Sequence, residues 1–279
     1  MDQTNQHHSR SIPGESTPGS LKINVLSEVK ALDGFLSEHG LSFLVEADEK
    51  RVLFDTGASR VFLENAGKLG IDLDGVGTVV LSHGHFDHGD GLPFMEEKTL
   101  VCHPGCFEKR YRKEGFGNIG LALARDEIES RFDLKTSVTP VQLTEHLWFL
   151  GEIPRLNGFE SQSTRYVLED GREDFIIDDS GMVFTGRDGL VVISGCAHSG
   201  ICNMVEHARK VTGIKRVETV IGGFHLQAIN RQVRDTIAFL KKAGIDKVYP
   251  SHCTMDPALG LFHDEFGFNK VLAGDRLVF

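Results

Sequence analysis

No run of apolar side chains in this sequence approaches the ~20 residues a membrane-spanning helix needs, which excludes an integral membrane protein of that kind. Positive charge is also short: 30 Lys and Arg stand against 40 Asp and Glu, a formal net charge of −10. Such a surface repels phosphate backbones at long range, so nucleic acid is not expected as a general partner. Cysteine is sparse and odd in number (Cys102, Cys106, Cys196, Cys202, Cys253), which excludes a small disulfide scaffold and suits a reducing compartment. Residues 1–20, MDQTNQHHSRSIPGESTPGS, lack the apolar core of a secretory signal. They read as a flexible polar tail in which His7 and His8 serve no site, and the expected location is the cytoplasm. No repeat of whole domains is visible.

What is present is an ordinary core and surface, 40% apolar and 25% charged over 279 residues, together with 13 histidines. LKINVLS, LSFLVEA and RVLFDTG read as three early strands, and TVVLS (78–82) as a short buried one. Ser59 is placed to cap a helix in which Phe62, Ala66 and Leu69 share a face and Gly70 is the stop. A helix is expected through 121–132. LWFLGEIPR, STRYVLE and FIIDDSG read as further strands and edges. In VCHPGC, Cys102 and Cys106 flank His103, but Pro104-Gly105 marks a turn and no second Cys/His pair stands at zinc-finger spacing. Lys109, Arg110, Arg112 and Lys113 suit a solvated basic helix face better than a phosphate cradle.

The last third is the most regular. LVVISG, RVETVIGG and KVYP are strands separated by amphipathic helices, and their exits carry His198, His225 and His252, twenty-seven residues apart. Strand–helix–strand units run strands parallel, so the three exits meet at one sheet edge, where open α/β sheets bind ligands.

The strongest signal is Ser82-His83-Gly84-His85-Phe86-Asp87-His88-Gly89. Imidazole and carboxylate are the usual nitrogen and oxygen ligands of zinc and related ions. A tight loop after a buried strand can aim His83 and His85 at one ion and Asp87 and His88 at a neighbour, with the glycines allowing close backbone folding.

SHGHFDH resembles the His-x-His-x-Asp-His signature of the metallo-β-lactamase superfamily, and LFDTG, with Asp55, resembles its earlier strand-end motif. SGCAHSGI (194–201), IGGFHL (221–226), PSHCT (250–254), EHGLSFLVEA (38–47) and GEIPR (151–155) are similar to one branch. That branch holds dihydropterin–ribofuranosylaminobenzene-phosphate synthases and proteins called only metal-dependent hydrolases. The resemblance implies a four-layer αββα sandwich over residues 21–279 as a single domain, with two divalent ions, zinc before manganese or iron. It assigns His83, His85, Asp87, His88, His198 and His252 to the metals, with His198 shared and His252 in the final-His place. His225 is either a further ligand or a group beside the ions that polarises substrate. Gly195-Cys196 stands where the superfamily has Gly-Asp with a bridging carboxylate, which leaves the number of ions open. Asp178 or Asp179 can compensate, though both read first as surface acids at a turn.

The implied chemistry is hydrolysis of a small-molecule ester, phosphoester or related bond by metal-bound hydroxide, with Asp87 and His225 as the catalytic side chains. The alternative is a transferase that condenses a dihydropterin pyrophosphate with an arylamine ribofuranosyl phosphate, a methanopterin-type synthase. Either takes a small-molecule substrate, with or without phosphate. His39, His103, His146, His207 and His263 carry no assignment.

Overall fold

Strand residues alternate between two apolar environments, and that alternation sets the layers. The computed structural model describes residues 20–115, 117–268 and 270–279. Apart from Ser20, the expected polar tail with His7 and His8 lies outside the described residues.

One sheet runs, in spatial order, Arg276–Val278, Lys22–Ser27, Ser42–Ala47, Lys50–Phe54, Thr78–Val80, Thr99–Cys102 and Asp133–Thr136. The first four are mutually antiparallel; from Lys50–Phe54 onward the pairing is parallel. The second sheet runs Lys247–Ser251, Val217–Gly223, Gly189–Ser194, Gly181–Gly186, Leu147–Phe149 and Val141–Gln142. Its first three strands are parallel, as the strand–helix–strand reading requires, and the rest are antiparallel.

Phe43, Val45, Val52, Phe54, Val80 and Val101 of the first sheet meet Met182, Phe184, Val191, Ile193 and Ile221 of the second in one core between the sheets. The alternate residues of the first sheet, Leu44, Leu53, Val79 and Leu100, point outward onto Phe62 and Ala66 of the helix Val61–Lys68 and Ile128 of the helix Arg125–Arg131. On the second sheet, Val183, Val192, Val220 and Val248 point outward onto the helices Ile201–Thr212, Arg231–Lys242 and Asp256–Phe266. The result is the expected αββα order. A fully buried Phe54 contributes about 3 kcal/mol by area, so a single truncation there is a large fraction of net stability. Among the described residues no helix is long and apolar enough to cross a membrane.

Three local expectations change. The helix near Ser59 begins at Val61; Ser59 Oγ accepts the Val61 N–H at 3.3 Å but donates to Glu38 Oε2 at 2.6 Å, so it is tied to a carboxylate as well. The basic stretch is no helix face: Arg110–Arg112 is a strand paired with Tyr166–Leu168 in a third, three-stranded sheet completed by Glu173–Asp174. Arg110 is only 1% exposed, because Asp174 and Asp178 neutralise it in the interior. Asp178 and Asp179, read as surface acids, are 0% exposed. Backbone N–H groups far away in the chain, of Gly84 and Ser199, draw these carboxylates inside.

Candidate metal centre

The histidine-rich loop leaves the first sheet after Thr78–Val80 and closes with the single-turn helix Phe86–Gly89. Two glycines make the close approach possible. A Cβ on Gly84 would lie 1.9 Å from the carbonyl oxygen of Cys106, and one on Gly195 would lie 2.1 Å from Ser82 Oγ. Below the loop, Asp55 accepts the Ser82 N–H and the Ser82 hydroxyl, each at 2.7 Å, and faces His88 Nδ1 at 2.7 Å. Ser82 Oγ is also 2.9 Å from His83 Nδ1. With both Nδ1 atoms donating outward, His83 and His88 turn Nε2 lone pairs inward, the tautomer a metal ligand needs.

Other buried carboxylates hold the remaining loops. Asp178 accepts the Gly84 N–H at 2.8 Å and is fastened by Arg110. Asp179 accepts the Ser199 N–H at 3.0 Å, beside His198. Glu28 accepts the His252 N–H. Glu160 accepts the N–H groups of Cys202 and Asn203 at 2.9 and 3.0 Å, at the start of the helix that follows His198. Asp55, Ala197, His225 and His252 all have positive φ, from 49° to 56°. Non-glycine residues rarely hold that conformation, and such strain gathers at functional sites.

The three strand exits converge on the loop. His83 lies 4.8 Å from His198 between ring centroids, His85 4.9 Å from His198, and His225 4.2 Å from His198. His83 Nε2 is 2.9 Å from His85 Nδ1, and His88 Nε2 is 3.1 Å from His252 Nε2. Asp87 Oδ2 lies 3.4 Å from His252 Nε2. All six expected metal residues, with His225, therefore share one site.

Within it, two sets of donor atoms lie close enough to surround an ion: His83, Cys196 and His198, and His88, Cys196 and His252, with the atoms of each set within 4.8 Å of one another. Cys196 belongs to both sets. Its Sγ is 3.2 Å from His88 Nε2. The geometry thus puts the thiol in the common place, where the sequence reading put His198.

These residues fit divalent ions by chemistry as well as position. His85 Nε2 and His198 Nε2 are buried and have no hydrogen-bond partner among the described residues. Burial, then the neighbouring imidazoles, drives His83 and His198 well below the ordinary histidine range. Burial also lowers His85 and His252. Neutral imidazoles are the ligating form. Burial works against ionised Asp87, but His88, His252 and His39 outweigh it and hold the carboxyl well below its usual range. For His88 the balance tips upward, because Asp55 and Asp87 outweigh burial.

A cavity of about 440 Å³ opens on the His198 and His225 side, lined also by Tyr166, Arg165, Gln162, Gln227 and Asn230. A smaller one of about 170 Å³ opens on the His39 and His252 side.

Two site residues escaped the sequence. Tyr166 packs on His85, 5.2 Å between centroids, with its hydroxyl 3.3 Å from His225 Nε2. His39 stacks on His252 at 5.4 Å and places Nε2 3.2 Å from Asp87. STRYVLE reads as an ordinary strand or edge, and a lone histidine in EHGLS carries no metal spacing. Cys102 and Cys106 are buried thiols, and Cys106 serves as backbone beneath Gly84.

Residues 38–252 match the family model for the metallo-beta-lactamase superfamily. The chain belongs to the metallo-β-lactamase superfamily. It is 36% identical to 7,8-dihydropterin-6-methyl-4-(beta-D-ribofuranosyl)-aminobenzene-5'-phosphate synthase of Methanocaldococcus jannaschii, over 93% of this chain and 97% of that protein. It is 31% identical to a solved metal-dependent hydrolase of the beta-lactamase superfamily, with a TM-score of 0.83, covering 92% of this chain and 98% of that one. A diphosphatase of the PhnP family shares the fold at 14% identity and a TM-score of 0.54, covering 93% and 97%. Superfamily membership accounts for the αββα layers and makes a divalent-metal enzyme the coarse description of the chain.

Proposed function

We propose that this superfamily member is a metal-dependent hydrolase of a small-molecule ester, phosphoester or related bond. The observation that carries the reading is the pair of donor sets, His83–Cys196–His198 with His198 half-buried and the fully buried His88–Cys196–His252, beside a cavity large enough for a small organic substrate. His85 and Asp87 complete the two sets, zinc is the first choice of ion, and manganese or iron are alternatives. Bound divalent ions supply an ionisable water near neutral pH and polarise the bond to be broken.

The protein's own groups then divide the remaining work. Asp87, held ionised by its histidine neighbours, accepts a hydrogen bond from a water and orients it toward the cavity. Tyr166, whose phenol burial pushes up and so keeps protonated, donates its O–H to a substrate oxygen. His225, pushed down to about 4 by burial and then Arg165, is neutral at pH 7 and holds that hydroxyl in place. The buried Asp55, Asp178, Asp179 and Glu28 keep the loops rigid, so little reorganisation is needed when substrate arrives.

The second reading is a transferase, and the 36% identity over nearly the full length to the synthase favours it. The same site would take a dihydropterin pyrophosphate and an arylamine ribofuranosyl phosphate, with the arylamine partner replacing water as nucleophile. Incubating metal-loaded protein with both compounds separates the readings: a coupled product supports the synthase, and pyrophosphate release without coupling supports the hydrolase. Elemental analysis tests the shared premise, which fails if the protein with His83→Ala and His88→Ala retains as much metal as the wild type.

A further inference from the structure

The three-stranded sheet reaches the metal centre through Tyr166, and the charges it carries are unevenly neutralised. Lys109 meets Glu169 at 3.2 Å, Lys113 meets Glu173, and Arg172 meets Asp170 at 2.7 Å. Arg110 is buried against Asp174 and Asp178. Arg112 and Arg165 have no carboxylate partner among the described residues.

Their positions are specific. Arg165 lines the 440 Å³ cavity together with His198 and His225. Arg112 is the cross-strand partner of Tyr166 in the antiparallel pair, so the two side chains leave the same face of the sheet. Tyr166 uses that face to pack on His85 and His198. Arg165 precedes Tyr166 in the chain and lines the cavity, and Arg112 stands across from Tyr166 in the strand register. The Arg112 charge is felt at Tyr166 and His39, and the Arg165 charge at Tyr166 and His225. In a chain of net charge −10, an uncompensated Arg165 in the cavity wall and an uncompensated Arg112 across from Tyr166 form a local reversal of sign.

We infer that Arg165 and Arg112 form a clamp for the phosphate of a phosphomonoester substrate, held at the rim of the cavity and away from the metal ions. The inference rests on the proposed site and narrows its substrate class. Guanidinium forks match phosphate oxygens in a two-bond geometry that an ammonium does not reproduce. The polar lining, with Gln162, Gln227 and Asn230, suits a hydrogen-bonding organic group between the phosphate and the ions.

Calorimetric titration of the full chain with ribose 5-phosphate, ribose and inorganic phosphate tests the clamp, on protein as isolated and after chelation. The wild type is expected to bind ribose 5-phosphate in both states, more tightly than either ribose or inorganic phosphate. Arg165→Gln and Arg112→Gln should each weaken that binding roughly tenfold, while Arg165→Lys recovers only part of it. Circular dichroism confirms that each variant is folded. Undiminished binding in both Gln variants overturns the clamp. So does binding that vanishes on chelation, which would place the phosphate on the metals and leave the hydrolase reading intact. Equal affinity for inorganic phosphate and the ester overturns the substrate assignment. If no metal is found in the protein but the arginine effects appear, the clamp stands and the metal-dependent reading fails.

Discussion

Asp55 Oδ2 lies 2.7 Å from His88 Nδ1, with both side chains fully buried. The same carboxylate takes the Ser82 N–H and hydroxyl, so one residue at the end of Lys50–Phe54 sets the first half of the metal loop and the ring of its last histidine. Asp55 has a φ of 56°, a strained conformation retained where three donors converge.

Replacing Asp55 by Ala leaves those donors buried and unpaired. Metal affinity is expected to fall 10- to 100-fold, the usual cost of losing a carboxylate behind a ligating histidine. Stability should fall by about 3 kcal/mol as well. Competitive chelator titration and thermal melting measure the two effects separately. A variant with wild-type metal affinity would mean that Asp55 does not orient His88.

Cys196 is expected to contribute a thiolate to both ions. Cobalt-loaded wild type should show a near-ultraviolet sulfur-to-metal absorption and about two ions per chain. Cys196→Ser should lose the absorption and at least one ion. Cys196→Asp should lose the absorption and keep both, because a carboxylate can span the same two sets. Retention of the band in the serine variant would remove Cys196 from the centre.

The extent to which the sequence foretold this site follows from the range of each interaction. His83, His85, Asp87 and His88 sit within six residues, so their spacing alone announces them. His198, His225 and His252 were legible because periodic strands and helices convert regular spacing into a common sheet edge. Asp178 and Asp179 were misread because a carboxylate's environment is set by distant backbone: Gly84 for one, Ser199 for the other. Tyr166 and His39 reach the centre through pairing between segments far apart in the chain. Cys196 stands in the sequence where the superfamily has an aspartate, and its place between the two donor sets is set by the meeting of segments far apart in the chain.

Tyr166→Phe removes one hydroxyl from a buried ring whose packing on His85 is otherwise preserved. If the phenol donates to a substrate oxygen as charge develops, kcat/KM should fall about 100-fold or more. Metal content should not change, since no nitrogen of either donor set bonds to the hydroxyl. Steady-state kinetics with elemental analysis decides the matter; a fall in metal content would make Tyr166 a support of the centre instead.

Far from the centre, Asp48 accepts the His146 N–H at 2.7 Å and faces His146 Nδ1 at 2.7 Å, closing the turn between Ser42–Ala47 and Lys50–Phe54 onto the second sheet. Burial acts to raise Asp48, but the Thr144 and His146 hydrogen bonds outweigh it and leave the carboxyl below its ordinary value. A carboxylate lowered by folding stabilises the protein above its unfolded pKa of about 3.9, and that stabilisation is lost as pH falls through the folded value. Asp48 has a φ of 52°, which asparagine tolerates, so Asp48→Asn removes the charge without new backbone strain. At pH 7 the variant should be less stable by about 1 kcal/mol, a discounted figure because solvent reaches His146. The gap in denaturant midpoint between variant and wild type should close as the pH is taken from 7 toward 3. A gap that persists unchanged at the acid end would assign the effect to the shape of the side chain and not to its charge.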